Sequence, residues 1–282
     1  MLTVLEIIKK TTDFLGTKGV ESPRLNAELL IGHALGLKRM QLYLQFERPL
    51  PEADLEKIRP LVRRRAQHEP VQYIVGETEF HGLKLKVDRR ALIPRPETEL
   101  LVEKVVSLLQ GTPPARILDL GTGTGAIALA LANAFPAAAV TATDASGEAL
   151  ALARENVEAL GLGARVDVRE ARWFEGLPVT PAFDLIVSNP PYLTEEETAQ
   201  TRPEVRNFEP ATALTAADDG LADLRSIVAG APAFLRAGGL LALETGIAQH
   251  PRLLELLAAA GFSRTESHQD LTERDRYVFA WR

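Results

Sequence analysis

The chain has 282 residues, of which 46% are apolar and 25% charged, with a formal net charge of −6 and no cysteine. That length suffices for one large domain or two smaller ones with cores of their own, and no run approaches the roughly 18 uninterrupted apolar residues of a membrane span. Disulfides and thiolate metal sites are excluded, the five histidines (His33, His68, His81, His250, His268) lack ligand spacing so no metal is expected, and the acidic balance weighs against a non-specific grip on nucleic acid. The stretch from Met1 to Lys10 carries Glu6 and has no basic-then-apolar signal organisation, so the expected location is cytoplasmic.

The first 70 residues read as helices only. Leu2, Leu5, Ile8 and Leu15 recur at helical spacing, and Ser22-Pro23 supplies an N-cap and a first-turn proline for a helix through Leu25, Leu29 and Leu30 that runs out near Gly36. Met40 to Phe46 and Ala53 to Ala66 complete a small bundle, in which Pro60 is expected to break or kink the last piece. Arg63-Arg64-Arg65 at its end reads either as a solvated face that compensates the helix dipole or as a contact to an acidic partner or RNA.

From Val71 the period changes. Val71-Gln72-Tyr73-Ile74-Val75 and the alternating Leu83-Lys84-Leu85-Lys86-Val87, around a turn region with Gly76, are expected to pair as a hairpin-like linker. Leu92 to Glu99 follows, stiffened by Pro94 and Pro96, and Glu97-Thr98-Glu99 opens a helix through Val106. This segment reads as a rigid joint and as a wall of a cofactor or substrate pocket. The expected division is therefore 1–70 helical, 71–95 linker and 96–282 catalytic.

Arg116 to Ala130 has the pattern of a short buried strand (Ile117, Leu118, Leu120), a glycine loop and the first turns of an Ala/Leu-rich helix, which places helix N–H groups at a ligand. A second strand, Ala139 to Thr143, ends at Asp144, about 20 residues beyond the glycines, the offset of an acid that accepts from ribose hydroxyls. Gly121, Gly123 and Gly125 depart from the dinucleotide fingerprint, because the third glycine follows after one residue instead of two. The loop suits a single carboxylate better than a pyrophosphate, as in S-adenosylmethionine. The competing reading is that the glycines serve only tight strand–helix packing.

Alternation then continues through a helix Glu148 to Leu160, a strand Ala164 to Val168, and the apolar run Phe183 to Ser188. That run ends in Asn189-Pro190-Pro191-Tyr192. Asn offers a carbonyl acceptor, the prolines fix φ and withhold N–H groups, and Tyr adds a flat apolar wall, a pocket for an amide or an exocyclic amine. An ordinary strand-ending turn would also use Asn and Pro. Leu193 to Ala217 has no clear period and reads as a lid or substrate-binding element. A helix Leu221 to Leu235, a strand Leu240 to Glu244, a helix Arg252 to Ala260 and two strand-like pieces near Arg264 to Ser267 and Tyr277 to Trp281 complete the chain; the last two lie too close for a crossover and should pair antiparallel.

With these motifs in place, the chain resembles the S-adenosylmethionine-dependent methyltransferases of the seven-stranded Rossmann-like type. More closely, it resembles the HemK/PrmC family, which methylates the side-chain amide nitrogen of a glutamine in peptide chain release factors. The resemblance runs almost end to end, through the helical N-terminal region, Arg64-Arg65, Glu69 to Ile74, Phe80-His81-Gly82, Leu92 to Glu99, the glycine loop, Asp144, Asn189 to Tyr192, and Arg206 to Pro210. It implies an α/β methyltransferase domain with an antiparallel last strand. It also implies a helical domain that recognises substrate, a β-hairpin linker, and class I release factors, at the glutamine of their GGQ motif, as partners. Cofactor binding would fall to Gly121, Thr122, Gly123, Thr124, Gly125, Asp144, Trp173 and Asn189. Glutamine would sit at Asn189, Pro190, Pro191 and Tyr192, with Asn189, Pro190 and Tyr192 catalytic, S-adenosylhomocysteine as product, and a monomer acting without a nucleic-acid substrate or a membrane. Trp173 reads equally as a platform for adenine or as plain core. One departure from the family pattern is Arg172, where an acidic residue often precedes the tryptophan. The rival readings are a nucleic-acid amine methyltransferase, a cofactor-binding module without catalysis, and, against the glycine spacing, a nicotinamide oxidoreductase.

Overall fold

The computed structural model describes residues 1–180 and 182–282, which form two units: Met1–Glu77 with Arg202–Phe208, and Thr78–Thr201 with Glu209–Arg282.

In the first unit the helices are Val4–Thr17, Pro23–Leu35, Arg39–Tyr43, Glu52–Ala66 and Val71–Val75, joined by the turn of helix Pro203–Phe208. A capping box of Thr3 and Glu6 starts the first. Val4, Ile8, Ile31, Leu42, Leu50 and Ile58 form the core. Ser22 and Pro23 take the expected N-cap and first-turn positions, with no cap bond from the Ser22 side chain; the Ser22 carbonyl accepts from Asn26 Nδ2 at 3.1 Å. Two expectations fail here for local reasons. Pro60 does not break its helix, because both Pro60 and Glu56, whose carbonyl loses its partner, lie on the exposed face where water replaces the missing bond. Val71–Val75 is helical and not a strand: Pro70 begins it, Gly76 ends it, and burial of Ile74 against Leu15, Val20 and Leu30 overrides the β-branched composition.

The arginine triplet is mostly spent inside this unit. Arg64 holds Glu69 with two hydrogen bonds at 2.8 and 2.9 Å, while buried Arg65 donates to Asn26 Oδ1 at 2.7 Å, to the Glu69 carbonyl at 3.2 Å and to Glu204 Oε1 at 2.7 Å. Burial would raise the Glu204 carboxyl, yet the bond from Arg65 holds it below its ordinary value. Arg63 is the exposed member.

A hairpin follows, β1 (Glu77–Phe80) and β2 (Leu83–Lys86), turned at His81-Gly82, both at positive φ as a two-residue hairpin turn requires. Seven strands follow: β3 (Arg116–Leu120), β4 (Ala139–Asp144), β5 (Val166–Glu170), β6 (Phe183–Ser188), β7 (Leu235–Glu244), β8 (Arg264–Gln269) and β9 (Asp275–Trp281). Their order across the sheet is β5-β4-β3-β6-β7-β9-β8, parallel except for β9, which runs against both neighbours. Period-two alternation sends Ile117, Leu185 and Val187 to one face, under helices Pro96–Leu109 and Ala126–Ala134. Leu118, Leu120 and Ile186 go to the other, under helices Ala222–Phe234 and His250–Ala259. The chain winds outward in both directions from β3 and β6, so the crevice beyond their carboxyl ends is the expected ligand site.

Candidate active site

Three chain segments meet at that crevice: the glycine loop after β3, Asp144 at the end of β4, and Asn189 to Tyr192 after β6. They border a cavity of about 610 Å³, within the size range of cofactor pockets. The loop alternates in function. Gly121 and Gly123 line the cavity, whereas Thr122 and Thr124 turn inward and are buried. Thr122 Oγ1 donates to Asp119 Oδ2 at 2.5 Å, and the Thr124 carbonyl accepts from Asn156 Nδ2 at 2.9 Å. Gly125 packs where helix Ala126–Ala134 begins, next to Leu129 and Ala153. Of the five loop positions expected to touch cofactor, two face the cavity and three brace it.

Asp144 lines the cavity with one carboxylate oxygen on the Gly123 N–H and the other on the Ser146 N–H, each at 2.9 Å. Burial raises its carboxyl above the ordinary value, and these backbone donors oppose the rise. Buried Asp119, one layer below, is pushed up to about 7 by desolvation against the bonds from Thr122 and the Ala128 N–H.

Trp173 sits in the left-handed region at φ 54°, a strained conformation for a bulky residue, and its indole lies 3.5 Å from where a side chain on Gly121 would begin. Its Nε1 donates to Asp223 Oδ1 at 3.2 Å, and both residues line the cavity. A flat ring over a bare glycine backbone, with an acid beyond it, fits a heteroaromatic base and a ribose. Arg172 stands exposed at the rim.

Asn189 and Pro191 line the same cavity, while Pro190 is buried and Tyr192 is half-buried against the core under helix Ala222–Phe234. Asn189 Nδ2 donates to Thr98 Oγ1 at 3.0 Å, Thr98 Oγ1 donates to Glu244 Oε2 at 2.8 Å, and the Tyr192 hydroxyl donates to Glu244 Oε1 at 3.2 Å. Arg276 Nη1 lies 3.5 Å from the Tyr192 hydroxyl. Burial raises the Glu244 carboxyl to about 7, against the Thr98 bond, the field of Arg276 and the Tyr192 bond. It raises the Tyr192 phenol as well. Glu244 and Arg276 are functional candidates that sequence reasoning missed. The available signal for Glu244 was a carboxylate closing an apolar strand beside the site; Arg276 gave none. The expected wall Glu97-Thr98-Glu99 contributes Thr98 to this network, although Arg90, Ala91 and Leu92 are the residues from that end of the chain that line the cavity.

A seven-stranded sheet with one antiparallel strand, bearing a glycine loop, a strand-end acid and an Asn-Pro-Pro-Tyr turn on one crevice, defines a Rossmann-like methyltransferase. The family model for the methyltransferase small domain matches residues 96–208, and that for the PrmC N-terminal domain matches residues 6–76. Among solved structures, the human METTL16 catalytic domain in complex with an MAT2A 3'UTR hairpin superposes with a TM-score of 0.57 at 20% identity, over 71% of this chain and 76% of that one. The METTL16 N-terminal domain in complex with SAH gives 0.50 at 19% identity, over the same 71% and 76%. These likenesses concern the fold.

Curated relatives go further. The release factor glutamine methyltransferase of Chlorobaculum tepidum is 44% identical over 97% of this chain and 95% of its own length, and that of Geobacter sulfurreducens is 43% identical over 98% and 95%. The Yersinia pestis enzyme is 44% identical over 91% of both. The chain belongs to the release factor glutamine methyltransferase family. Among the described residues, no helix is long and apolar enough to cross a membrane, and no group of three or more His, Asp or Glu stands in a metal-binding arrangement.

Proposed function

We infer that this protein transfers a methyl group from S-adenosylmethionine to the side-chain amide nitrogen of a glutamine, the one in the GGQ motif, in class I peptide chain release factors. The observation that carries the reading is the Asn189 carboxamide, whose nitrogen donates to Thr98 and which lines the cavity shared with Gly121, Asp144 and Trp173.

An amide nitrogen is a poor nucleophile, so orientation and charge stabilisation must supply the rate. When bound, S-adenosylmethionine supplies an electrophilic methyl on a sulfonium. Asp144 would accept from the ribose hydroxyls, the Trp173 ring would cover the base, and the glycine loop, through Gly121 and Gly123 that line the cavity, would hold the methionine end. Asn189 Oδ1 and the Pro190 carbonyl accept the two amide hydrogens of the substrate, which aims its nitrogen lone pair and disperses the positive charge that develops there. The Tyr192 ring, packed under helix Ala222–Phe234 and not lining the cavity, backs the turn that presents these acceptors. Methyl transfer would form the new N–C bond as the methyl–sulfur bond breaks with its electron pair going to sulfur, and the surplus N–H proton would leave to solvent. A glutamine amide alone offers too little surface to single out one protein, since specific interfaces bury about 1,200–2,000 Å². The helical unit is proposed as the second contact.

The test is incubation with labelled S-adenosylmethionine and purified release factor, with the modified residue located by mass spectrometry. N5-methylglutamine in GGQ is expected, and label on nucleic acid or on no glutamine would refute the reading. A short GGQ peptide methylated with the kcat/KM of the intact factor would refute the second contact.

A further inference from the structure

Behind Asn189 lies a row of buried polar groups that binding of cofactor and amide does not by itself require. Thr98 and Glu244 are both buried, and neither lines the cavity. Thr98 comes from the first turn of helix Pro96–Leu109 and Glu244 from the end of β7, so 146 residues of chain separate them. Their bonds carry a direction. Above about pH 7, where Glu244 is ionised, its carboxylate has no proton to give and can only accept. Glu244 Oε2 therefore takes the single hydroxyl proton of Thr98, and Oε1 takes that of Tyr192. With its proton committed, Thr98 Oγ1 has only lone pairs left for Asn189, 3.0 Å away. The carboxamide must turn Nδ2 to Thr98 and leave Oδ1 for the cavity. Flipping the amide would set its N–H groups against those of the substrate and turn an acceptor lone pair on Thr98.

We propose that Thr98 and Glu244 are positioning residues that fix which end of the Asn189 carboxamide meets the substrate amide, and that Glu244 sets the Tyr192 hydroxyl by the same acceptor-only role. The proposal rests on the glutamine-methylation reading above. It explains why a buried carboxylate, costly to desolvate, follows the apolar run Leu240 to Leu243. A neutral amide at position 244 would not do the same, because its NH2 group can donate to Thr98 and reverse the row.

The experiment compares Thr98→Val, which keeps the side-chain shape without the hydroxyl, with Thr98→Ser, which restores the hydroxyl. Each is assayed for kcat and KM on a release factor, for S-adenosylhomocysteine affinity by calorimetry and for Tm. In Thr98→Val, kcat should fall about tenfold to a hundredfold, the cost of leaving one buried polar group mispaired, with cofactor affinity held within about twofold. Thr98→Ser should recover most of kcat. Glu244→Gln, read in the same way, should resemble Thr98→Val and carries the test if that variant does not fold. The proposal is overturned by wild-type kcat in Thr98→Val, by Thr98→Ser as impaired as Val, or by cofactor affinity falling in step with kcat. Wild-type enzyme in the same assay separates the two failures: label absent from glutamine there sinks the functional reading, whereas label present with insensitive variants sinks only the positioning role.

Discussion

Asp144 Oδ2 accepts the Gly123 N–H at 2.9 Å, so the acid proposed to hold a ribose also ties the end of β4 to the glycine loop. On that proposal Asp144→Ala removes a ligand contact and a loop brace together. Affinity for S-adenosylhomocysteine should fall by about 1.5–3 kcal/mol, the range for a hydrogen bond involving a charged group. Calorimetry reads this directly, and NAD should not bind to either protein. Unchanged S-adenosylhomocysteine affinity in the variant, or NAD binding, would remove Asp144 from the cofactor site.

Asn189→Ala should fold and still bind cofactor, with some loss because Asn189 lines the cavity. Its turnover should drop by about 10²–10³, by analogy with deleting one oriented polar group from a catalytic site. Near wild-type turnover in single-turnover assays would reduce Asn189-Pro190-Pro191-Tyr192 to a structural turn.

Much of this crevice was legible in the sequence because its parts are local: β3, β4 and β6 are short runs of strand composition, and Gly121, Asp144 and Asn189, which line the cavity, stand at or directly after their ends. Asp144 ends β4, and Asn189 follows β6, where the sheet's period-two pattern stops. What was not legible depended on residues far apart in the chain. Thr98, Glu244 and Arg276 meet only once the sheet is assembled, and nothing in the spacing pairs a helix-start threonine with a strand-end glutamate. Val71–Val75 misled because its β-branched residues belong to a helix held by Pro70 and by burial of Ile74. Arg64 and Arg65 looked like surface charge, because Glu69 and the distant Glu204 could not be seen to absorb them.

Activity and stability should respond to pH with opposite sign. Burial raises Glu244 to about 7, and the groups facing it are Glu97 and Thr98 from helix Pro96–Leu109, Tyr192 after β6, and Arg276 and Tyr277 on β9. Below about pH 7 Glu244 is protonated and can donate to Thr98, which frees the Thr98 proton to turn toward Asn189 and reverse the amide. Turnover should therefore fall as pH drops through about 7, and in Glu244→Gln that limb of the profile should be missing. For folding, the raised carboxyl means that the folded state binds more protons than the unfolded chain between its ordinary value of 4.5 and about 7. That contribution is full below 4.5 and is lost as pH rises toward 7. Asp119, lifted to about 7 by burial, adds in the same direction. Denaturant unfolding across this window should show stability declining while turnover climbs; a turnover profile flat from pH 6 to 8 would contradict the role given to Glu244.

Gly220 backs the turn that carries Tyr192. At φ 78° it lies so close that a β-carbon would stand 2.2 Å from the Tyr192 carbonyl oxygen and 2.4 Å from Gln249 Nε2. Gln249 is itself a clasp, donating to the Tyr192 carbonyl at 2.9 Å and accepting from the Gly246 N–H at 2.9 Å. Gly220→Ala therefore adds a clash to backbone strain, and Tyr192 with its bond to Glu244 must shift. Gly238, in β7, supplies the comparison: its φ is 75°, but a β-carbon there would meet nothing within 4 Å. Gly238→Ala should cost only the left-handed strain, about 1–2 kcal/mol, with turnover intact. Gly220→Ala should cost more than that in denaturant unfolding and should also lower kcat at least tenfold, while the cavity lining at Gly121 and Asp144 keeps its hold on S-adenosylhomocysteine. Equal losses of stability and full turnover in both variants would show that the position of Tyr192 does not depend on this close approach.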